Sequence, residues 1–430
     1  MVELRTPKGT VDLNPEQAYT QSQIIEKVQK VFEQHAGVPI STPMFELRNV
    51  LTNKYGDDSK LIFNLEDQGG DICSLRYDLT VPFSRYLCMN KVQKIRKYQI
   101  GNVFRRDNPS FKTGRLREFI QADFDICGTN LPMVNDAEVI KMIYDILMSF
   151  QIPSELKIKV NDRRILIGLL KMFNVPEEIQ GTVCSTVDKV GKLSRKELEE
   201  EFRSKGLNDT QISSIISFME YKKPNNEIFE YLKSFGSTDE EFITGIAEME
   251  LLFNYLKIYQ IPNVIFDLSL ARGLDYYTGL IIEAIYDNLD IGSVAGGGRY
   301  DNLCQSLSNN SFSVPCVGFS IGVTRMFCLV NTIKPSFDVF VGSAYDLLLE
   351  DRLDILNKLW SLGLKCETFN GKRVNYNEQI EYAKKQNYKF AIFTGTNEIS
   401  KDIYMIIDLR TMEKFEIKRA ELADYFLNKI

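Results

Sequence analysis

The 430-residue chain contains a single histidine, His35. A Ser-His-Asp triad or a histidine-ligated metal would have to use it, yet His35 lies in EQHAGVPI, at the expected end of a helix, with no supporting motif. The eight cysteines (Cys73, Cys88, Cys127, Cys184, Cys304, Cys316, Cys328 and Cys366) include no C-x-x-C pair. Most sit in apolar stretches, so reduced core thiols are expected and no bound metal. No G-x-x-x-x-G-K-[ST] phosphate loop occurs, and no G-x-G-x-x-G dinucleotide fingerprint. No apolar run is long enough to span a bilayer. The opening MVELRTPKGTVDLNPEQ lacks a secretory apolar core, and Glu3, Asp12 and Glu16 argue against an acid-poor transit peptide. A cytoplasmic protein without membrane contact is expected. Excess positive charge is missing as well: the net charge is −6 and the pI about 5.3. A nucleic-acid partner would therefore have to be bound by local patches.

What is present is an ordinary globular balance, 44% hydrophobic and 26% charged, in a chain too long for one core. Residues 16–36 alternate at helical spacing. GVPISTPMFEL then reads as a short strand, and its Pro39 and Pro43 suit an edge or an interface. From Ile62 to Gly128 strands and turns dominate, and 133–151 is helical. A helix-rich stretch dense in Lys and Glu occupies about 158–258. Strand patterns return at 263–270, 276–286 and 316–320, with a helix from about 322. Beyond a linker-like Asn331–Ser336, strands and helices alternate to the end, with final helix RAELADYFLNKI. The expected fold class is α+β: a body at 1–335 interrupted by a helical insertion at about 158–258, then a small α/β domain with a parallel or mixed sheet at 336–430.

Five segments carry candidate chemistry. In YQIGNVFRRDNPSFKTGRLREFIQADFDICG, period two places Arg117, Phe119, Gln121, Asp123 and Asp125 on one strand face and Leu116, Ile120, Ala122, Phe124 and Ile126 on the other, with Glu118 the exception. The polar face is either solvated or a site. The adjoining loop adds Arg105, Arg106, Lys112 and Arg115. Many cations beside carboxylates suit a ligand with anionic and cationic ends. In SLRYDLTVPFSRYL, Arg76, Asp78 and Thr80 are expected on one strand face opposite Leu75, Tyr77, Leu79 and Val81. FDLSLARGLDYYTG runs from an apolar strand into a charged and aromatic turn, either a structural hairpin or a pocket wall. The glycines of SVAGGGRYDNL allow close approach of a ligand or of another strand. VGFSIGVTRMF leads a strand into a helix whose first turn bears Arg325, a plain helix start or a phosphate site.

Taken in this order, the segments resemble the class II aminoacyl-tRNA synthetases, and within them the histidyl enzymes of eukaryotic type, over nearly the whole chain. The region around Pro43 resembles the dimer-forming motif 1, FRRD (104–107) motif 2 and GVTRMF (322–327) motif 3. LARGLDYYTG (270–279) and AGGGRYDNL (295–303) resemble the two histidyl signatures. Motif 2 departs from the class pattern at Asp107, where Glu is usual. Motif 3 has Thr324 before the arginine in place of Glu, which implies altered support of Arg325 and not loss of activity.

The resemblance implies a two-step histidine–tRNA ligase that uses ATP with magnesium carried on its phosphates, binds L-histidine and tRNA(His), and forms a homodimer. Arg105 and Arg272 are the implied catalytic residues at the α-phosphate. Arg105, Asp107, Arg117 and Arg325 are implied for ATP, and Asp78, Leu79, Thr80, Gln121, Asp125, Arg272, Tyr276 and Tyr277 for histidine. The tail is implied to read the anticodon, with Lys365, Lys372, Arg373, Lys384 and Lys385 as candidate RNA contacts. The insertion is implied to meet the acceptor arm. The chain starts close to the body, so the helical extension of many animal relatives is expected to be absent. The contrasting expectation is a catalytically inactive synthetase-like regulatory or tRNA-sensing protein. It is disfavoured because Arg105, Arg272, Arg325 and the tail are all kept. A class I synthetase is excluded, since neither HIGH nor KMSKS occurs. Arg272→Ala is expected to abolish adenylate formation in ATP–pyrophosphate exchange while circular dichroism remains unchanged. Near-normal exchange would refute that role.

Overall fold

The computed structural model describes residues 3–52, 54–67, 69–129, 131–187, 189–190, 193–271, 276–344, 347–371 and 375–429. Arg272, Lys372 and Arg373 therefore lie outside the described residues. The chain divides into two compact units, Met1–Leu13 with Gln21–Asn331, and Asn14–Thr20 with Thr332–Ile430.

In chain order the larger unit has strands β1 (Val38–Pro39), β2 (Phe45–Leu47), β3 (Cys73–Leu75), β4 (Ile95–Phe104), β5 (Glu118–Cys127), β6 (Leu156–Asp162), β7 (Val264–Phe266), β8 (Leu280–Tyr286), β9 (Ala295–Arg299) and β10 (Cys316–Gly322). Eight of them form one sheet in the order β1-β4-β5-β10-β9-β8-β6-β7. The inner six are antiparallel, and β1 and β7 join the two edges in parallel. Pro39 thus sits on an edge strand, where its missing N–H costs least. Strands β2 and β3 pair separately.

One sheet face is packed by helices. Ile24, Val28 and Phe32, at four-residue spacing on helix Pro15–Gln34, meet Tyr98 and Phe124 in the main core. The helix Val134–Met148 adds Val139, Ile140, Ile143 and Leu147. The alternation read in β5 holds: Ala122, Phe124 and Ile126 enter this core.

Two sequence expectations are corrected. The helical insertion begins later than about 158, because Leu156–Asp162 is strand β6, hydrogen-bonded to β8. Its helices run from Arg163 to Ile258, and the Asp162 carboxylate caps the first by accepting from Arg164 N at 2.9 Å. In SLRYDLTVPFSRYL the strand stops at Leu75 and a helix, Thr80–Asn90, takes over. Pro82 is tolerated in its first turn, and the Asp78 carboxylate accepts from Val81 N at 3.1 Å. Alternation of polar and apolar residues over so short a stretch cannot separate a strand from a capped turn.

The smaller unit contains β11 (Phe337–Ser343), β12 (Cys366–Thr368), β13 (Tyr388–Thr394), β14 (Ile403–Asp408) and β15 (Lys414–Lys418), in the order β12-β11-β13-β14-β15. The first three are parallel and the last two antiparallel, a mixed sheet as expected. Val339 and Val341 pack on Ile355 and Leu359, while Phe340 packs on Ile380 and Ala383, so helices cover both faces. The edge strand β15 was not legible in the sequence. Its lysines and Glu416 point outward, so it lacks an apolar run.

Three strands meet tightly at Gly297: a Cβ there would lie 2.3 Å from Gly318 O and 2.7 Å from Phe319 Cβ. Gly297→Ala is expected to destabilise the protein by about 1–3 kcal/mol, read as a lowered thermal midpoint. An unchanged midpoint would contradict this packing.

Candidate active site

The open face of the larger unit's sheet holds a cleft of about 410 Å³, within the usual range for small-ligand sites. Its floor is set by register. Gln121, Asp123 and Asp125 of β5 stand opposite Gly322, Ser320 and Gly318 of β10. Gly318 and Ser320 in turn stand opposite Gly298 and Gly296 of β9. Small residues at these registers keep the space above the carboxylates clear. A Cβ on Gly318 would lie 2.0 Å from Asp125 Oδ1. The strand sequence V-G-F-S-I-G carries this signal with period two.

The carboxylates at the floor are tightly held. Lys97 stands directly opposite Asp125 in the ladder, with Nζ 2.5 Å from Oδ2. Tyr300 donates to Asp125 Oδ1 from the other side. Asp123 Oδ1 has no hydrogen-bond partner among the described residues. Burial and the neighbouring Asp125 push the Asp123 carboxyl up to about 7, against the opposing pull of Lys97. Gln121 donates to Ser320 Oγ at 2.8 Å, and its own carbonyl oxygen is unpaired among the described residues.

The Asp78 carboxylate accepts from Tyr55 and Tyr276, each at 2.9 Å, besides Val81 N. Burial raises its pKa, and these donors and Arg105 oppose the rise. Tyr77 is pushed up to about 12 by burial. Phenols at this site are thus neutral donors at physiological pH.

The other end of the cleft is cationic. Arg105 leaves the end of β4 with its guanidinium 4.2 Å from the Tyr77 ring centre and 5.1 Å from that of Phe119, and Nε donates to Tyr77 O at 3.2 Å. Arg325 on the short helix Val323–Phe327 donates to Ser293 O. Burial, and then the like charges of Arg105 and Arg115, lower its pKa. Converging guanidiniums with so few carboxylates between them suit a polyanion such as a triphosphate. Asp107 accepts from Arg115 Nε at 2.7 Å, closing the loop that carries both. Thr324, where the class pattern has Glu, turns its hydroxyl to β5: it accepts from Ile120 N at 3.0 Å and ties the helix to the strand.

Among the sequence candidates, Asp78, Thr80, Gln121, Asp125, Tyr277, Arg105, Asp107 and Arg325 are brought to this one cleft. Leu79 is buried. Tyr276 reaches the cleft through Asp78, and Arg117 donates to Asp107 O at 3.0 Å. The sequence reading passed over Tyr55, Lys97, Ser320, Tyr300 and Glu283. Lys97 follows Arg96 in a strand of mixed burial, so nothing local set it apart. Tyr55 and Glu283 carried no local signal. His35 pairs with Glu138 at 2.9 Å, an interaction outside the cleft. No cluster of three or more His, Cys, Asp or Glu side chains able to hold a metal occurs among the described residues. The described cysteines are all free.

An antiparallel sheet flanked by helices, with arginines at one end of its cleft and a polar floor at the other, defines a class II aminoacyl-tRNA synthetase. Residues 9–326 match the family model described as histidyl-tRNA synthetase, and residues 338–429 match an anticodon binding domain. A probable cytoplasmic histidine–tRNA ligase of Encephalitozoon cuniculi is 44% identical, with 100% of this chain and 99% of that protein covered. The histidine–tRNA ligase of Danio rerio is 40% identical, with 98% and 88% covered. The crystal structure of histidyl-tRNA synthetase from Nostoc sp. superposes with a TM-score of 0.84 at 26% identity, covering the whole of both chains. The chain belongs to the histidyl-tRNA synthetase family.

Because the buried Asp123 binds a proton that the unfolded chain releases above about pH 4, folding stability is lost as pH rises from there through about 7. Asp123→Asn mimics the neutral acid at every pH. Its thermal midpoint is expected to exceed the parent's by at least about 2 °C at pH 8, with the gap closing towards pH 4. Equal midpoints at pH 8 would count against the raised pKa.

Proposed function

We propose that this cleft activates L-histidine with ATP and transfers the histidyl group to the 3′ end of tRNA(His). The observation that carries the reading is the pairing, within one cleft, of a polar, acceptor-rich floor with two converging arginines. In the first step a histidine carboxylate oxygen attacks the α-phosphorus, a P–O bond forms, and the bond to the pyrophosphate breaks. A terminal hydroxyl of the tRNA then attacks the histidyl carbonyl, and AMP leaves. Neither step needs a protein nucleophile, which fits a cleft whose described lining holds no histidine or cysteine. Positioning and charge stabilisation carry the rate.

Arg105 would bridge the amino-acid carboxylate and the α-phosphate. Its stacking between two rings supports this, since it holds the guanidinium flat and ready for a bidentate contact. Arg325 would take the far phosphates. Arg272 is assigned to the α-phosphate by resemblance alone. Asp107 and Arg117 would act on ATP through the loop they brace. Asp78, Thr80 and Gln121 would receive the α-ammonium, with Leu79 contributing backbone and Tyr276 orienting Asp78. Asp125 and Tyr277 would bind the imidazole, one accepting from a ring N–H and the other donating to the second ring nitrogen. Such a pocket rejects side chains that leave its buried polar groups unpaired. Magnesium would enter as part of the nucleotide substrate. Glu283 and Asp107 are carboxylates on the cleft wall, a donor chemistry that fits an ion sharing its ligands with phosphate.

The 336–430 domain would read the anticodon, the helical insertion would meet the acceptor arm, and the enzyme would work in the cytoplasm. No described helix is long and apolar enough to cross a membrane. A homodimer is supported by exposed apolar side chains around β2 and β3: Met44, Phe45, Leu47, Ile72 and Met89.

The deciding experiment is ATP–pyrophosphate exchange by the purified protein with each of the twenty amino acids. Exchange is expected with histidine alone. Folded protein that exchanges with none of them would overturn the reading in favour of a regulatory or tRNA-sensing protein.

A further inference from the structure

Beside the cleft floor, on the same sheet face, lies a charge that does not line the cleft. Lys97 has none of its side chain exposed. It projects from β4 towards Asp125, its cross-strand partner, and the Phe83 ring covers its ammonium at 4.7 Å from the ring centre. Apart from the ion pair with Asp125, Nζ makes no hydrogen bond among the described residues. Burying an ion pair is at best neutral for stability compared with a packed apolar pair, so an ammonium placed here is costly. The floor it faces is acidic. Asp123 lies on the same strand face as Asp125, one of its oxygens is unpartnered, and Lys97 is the cation that acts on it most strongly. Without that ammonium, two adjacent buried carboxylates would share one pocket, and like charges in low dielectric do not both persist.

We propose that Lys97 is a positioning residue for amino-acid selection: its buried ammonium carries the counter-charge of the Asp125–Asp123 floor, and so keeps Asp125 an aimed acceptor for a ring N–H. The inference rests on the reading that Asp125 receives the imidazole. It assigns to a residue outside the cleft the task of making that acceptor selective. A carboxylate held by Lys97 at one oxygen and Tyr300 at the other has a single orientation left. Without Lys97 that carboxylate oxygen loses its partner, and Asp125 is free to turn away from the ring nitrogen.

The test is steady-state ATP–pyrophosphate exchange with the full-length Lys97→Met, Lys97→Arg and Asp125→Asn variants, each first checked by thermal melting. In Lys97→Met the KM for histidine is expected to rise by at least about 30-fold, with kcat and the KM for ATP within about 3-fold of the parent. Lys97→Arg restores the cation and is expected to recover most of the histidine affinity. An unchanged histidine KM in folded Lys97→Met overturns the proposal. So does a parallel loss in the histidine KM, the ATP KM and kcat, which marks a structural role, or a failure of Lys97→Arg to recover affinity. Asp125→Asn separates the two layers. If it leaves the histidine KM unchanged, the assignment of Asp125 fails and the inference with it. If it raises that KM while Lys97→Met does not, only the inference fails. Should Lys97→Met not fold, Lys97→Gln is read by the same criteria. Failure of both to fold would assign Lys97 to stability and overturn the proposal.

Discussion

The cleft depends on one constraint, the register between β5 and β10. Every pocket-facing side chain of β5 from Gln121 to Asp125 meets a glycine or a serine across the ladder. A slip of one residue would set Phe319 and Ile321 against these polar groups and turn Ala122 and Phe124 out of the core. The apolar face and the catalytic face thus specify each other. The helices Pro15–Gln34 and Val134–Met148 fix the first through Phe32, Val139 and Ile143, and the second follows without further specification. The glycine run of β9 extends the same logic, because Gly297 and Gly298 admit neighbouring backbone at distances that no side chain permits.

Charge is distributed in the cleft by function more than by balance. Arginines that repel one another stand at one end, and carboxylates that repel one another stand at the other. Each arrangement disfavours the empty protein and is relieved by a ligand of opposite charge. This is preorganisation in its electrostatic form: the cost is met on folding and is not repeated when substrate arrives. The surrounding tyrosines, raised by burial, stay neutral and serve as fixed dipoles around Asp78 and Asp125. The AGGGRYD segment shows how closely support and site are interleaved. Arg299 anchors its strand to Asp136, Tyr300 reaches Asp125, and the Asp301 carboxylate accepts from Cys316 N at 3.0 Å.

Much of this was legible in the chain. The long periodic helices, the alternation of β5, the α/β rhythm of the tail and the edge placement of Pro39 each follow from a local pattern with a local cause. Legibility failed where the cause was distant. Asp78 read as a strand residue because short alternation fits a strand as well as the turn that caps Val81, and its two tyrosine donors, Tyr55 and Tyr276, come from other parts of the chain. Strand β6 was absorbed into a helical stretch because its pairing partner β8 lies more than a hundred residues further on. Thr324 stood out as a departure from its class pattern, and only its bond to Ile120 N explained what it does.

By itself the sequence determined the fold class and, by resemblance, the family, and its single histidine left a Ser-His-Asp triad or a histidine-ligated metal only His35 to use. These rest on composition, period and ordered motifs, which survive without knowing what touches what. Tertiary structure alone decided which polar residues share a cleft, which of them hold those residues from beside it, and where Lys97 places its charge. Those outcomes depend on cross-strand neighbours and burial. Both are properties of pairs far apart in the chain, so no local reading could contain them.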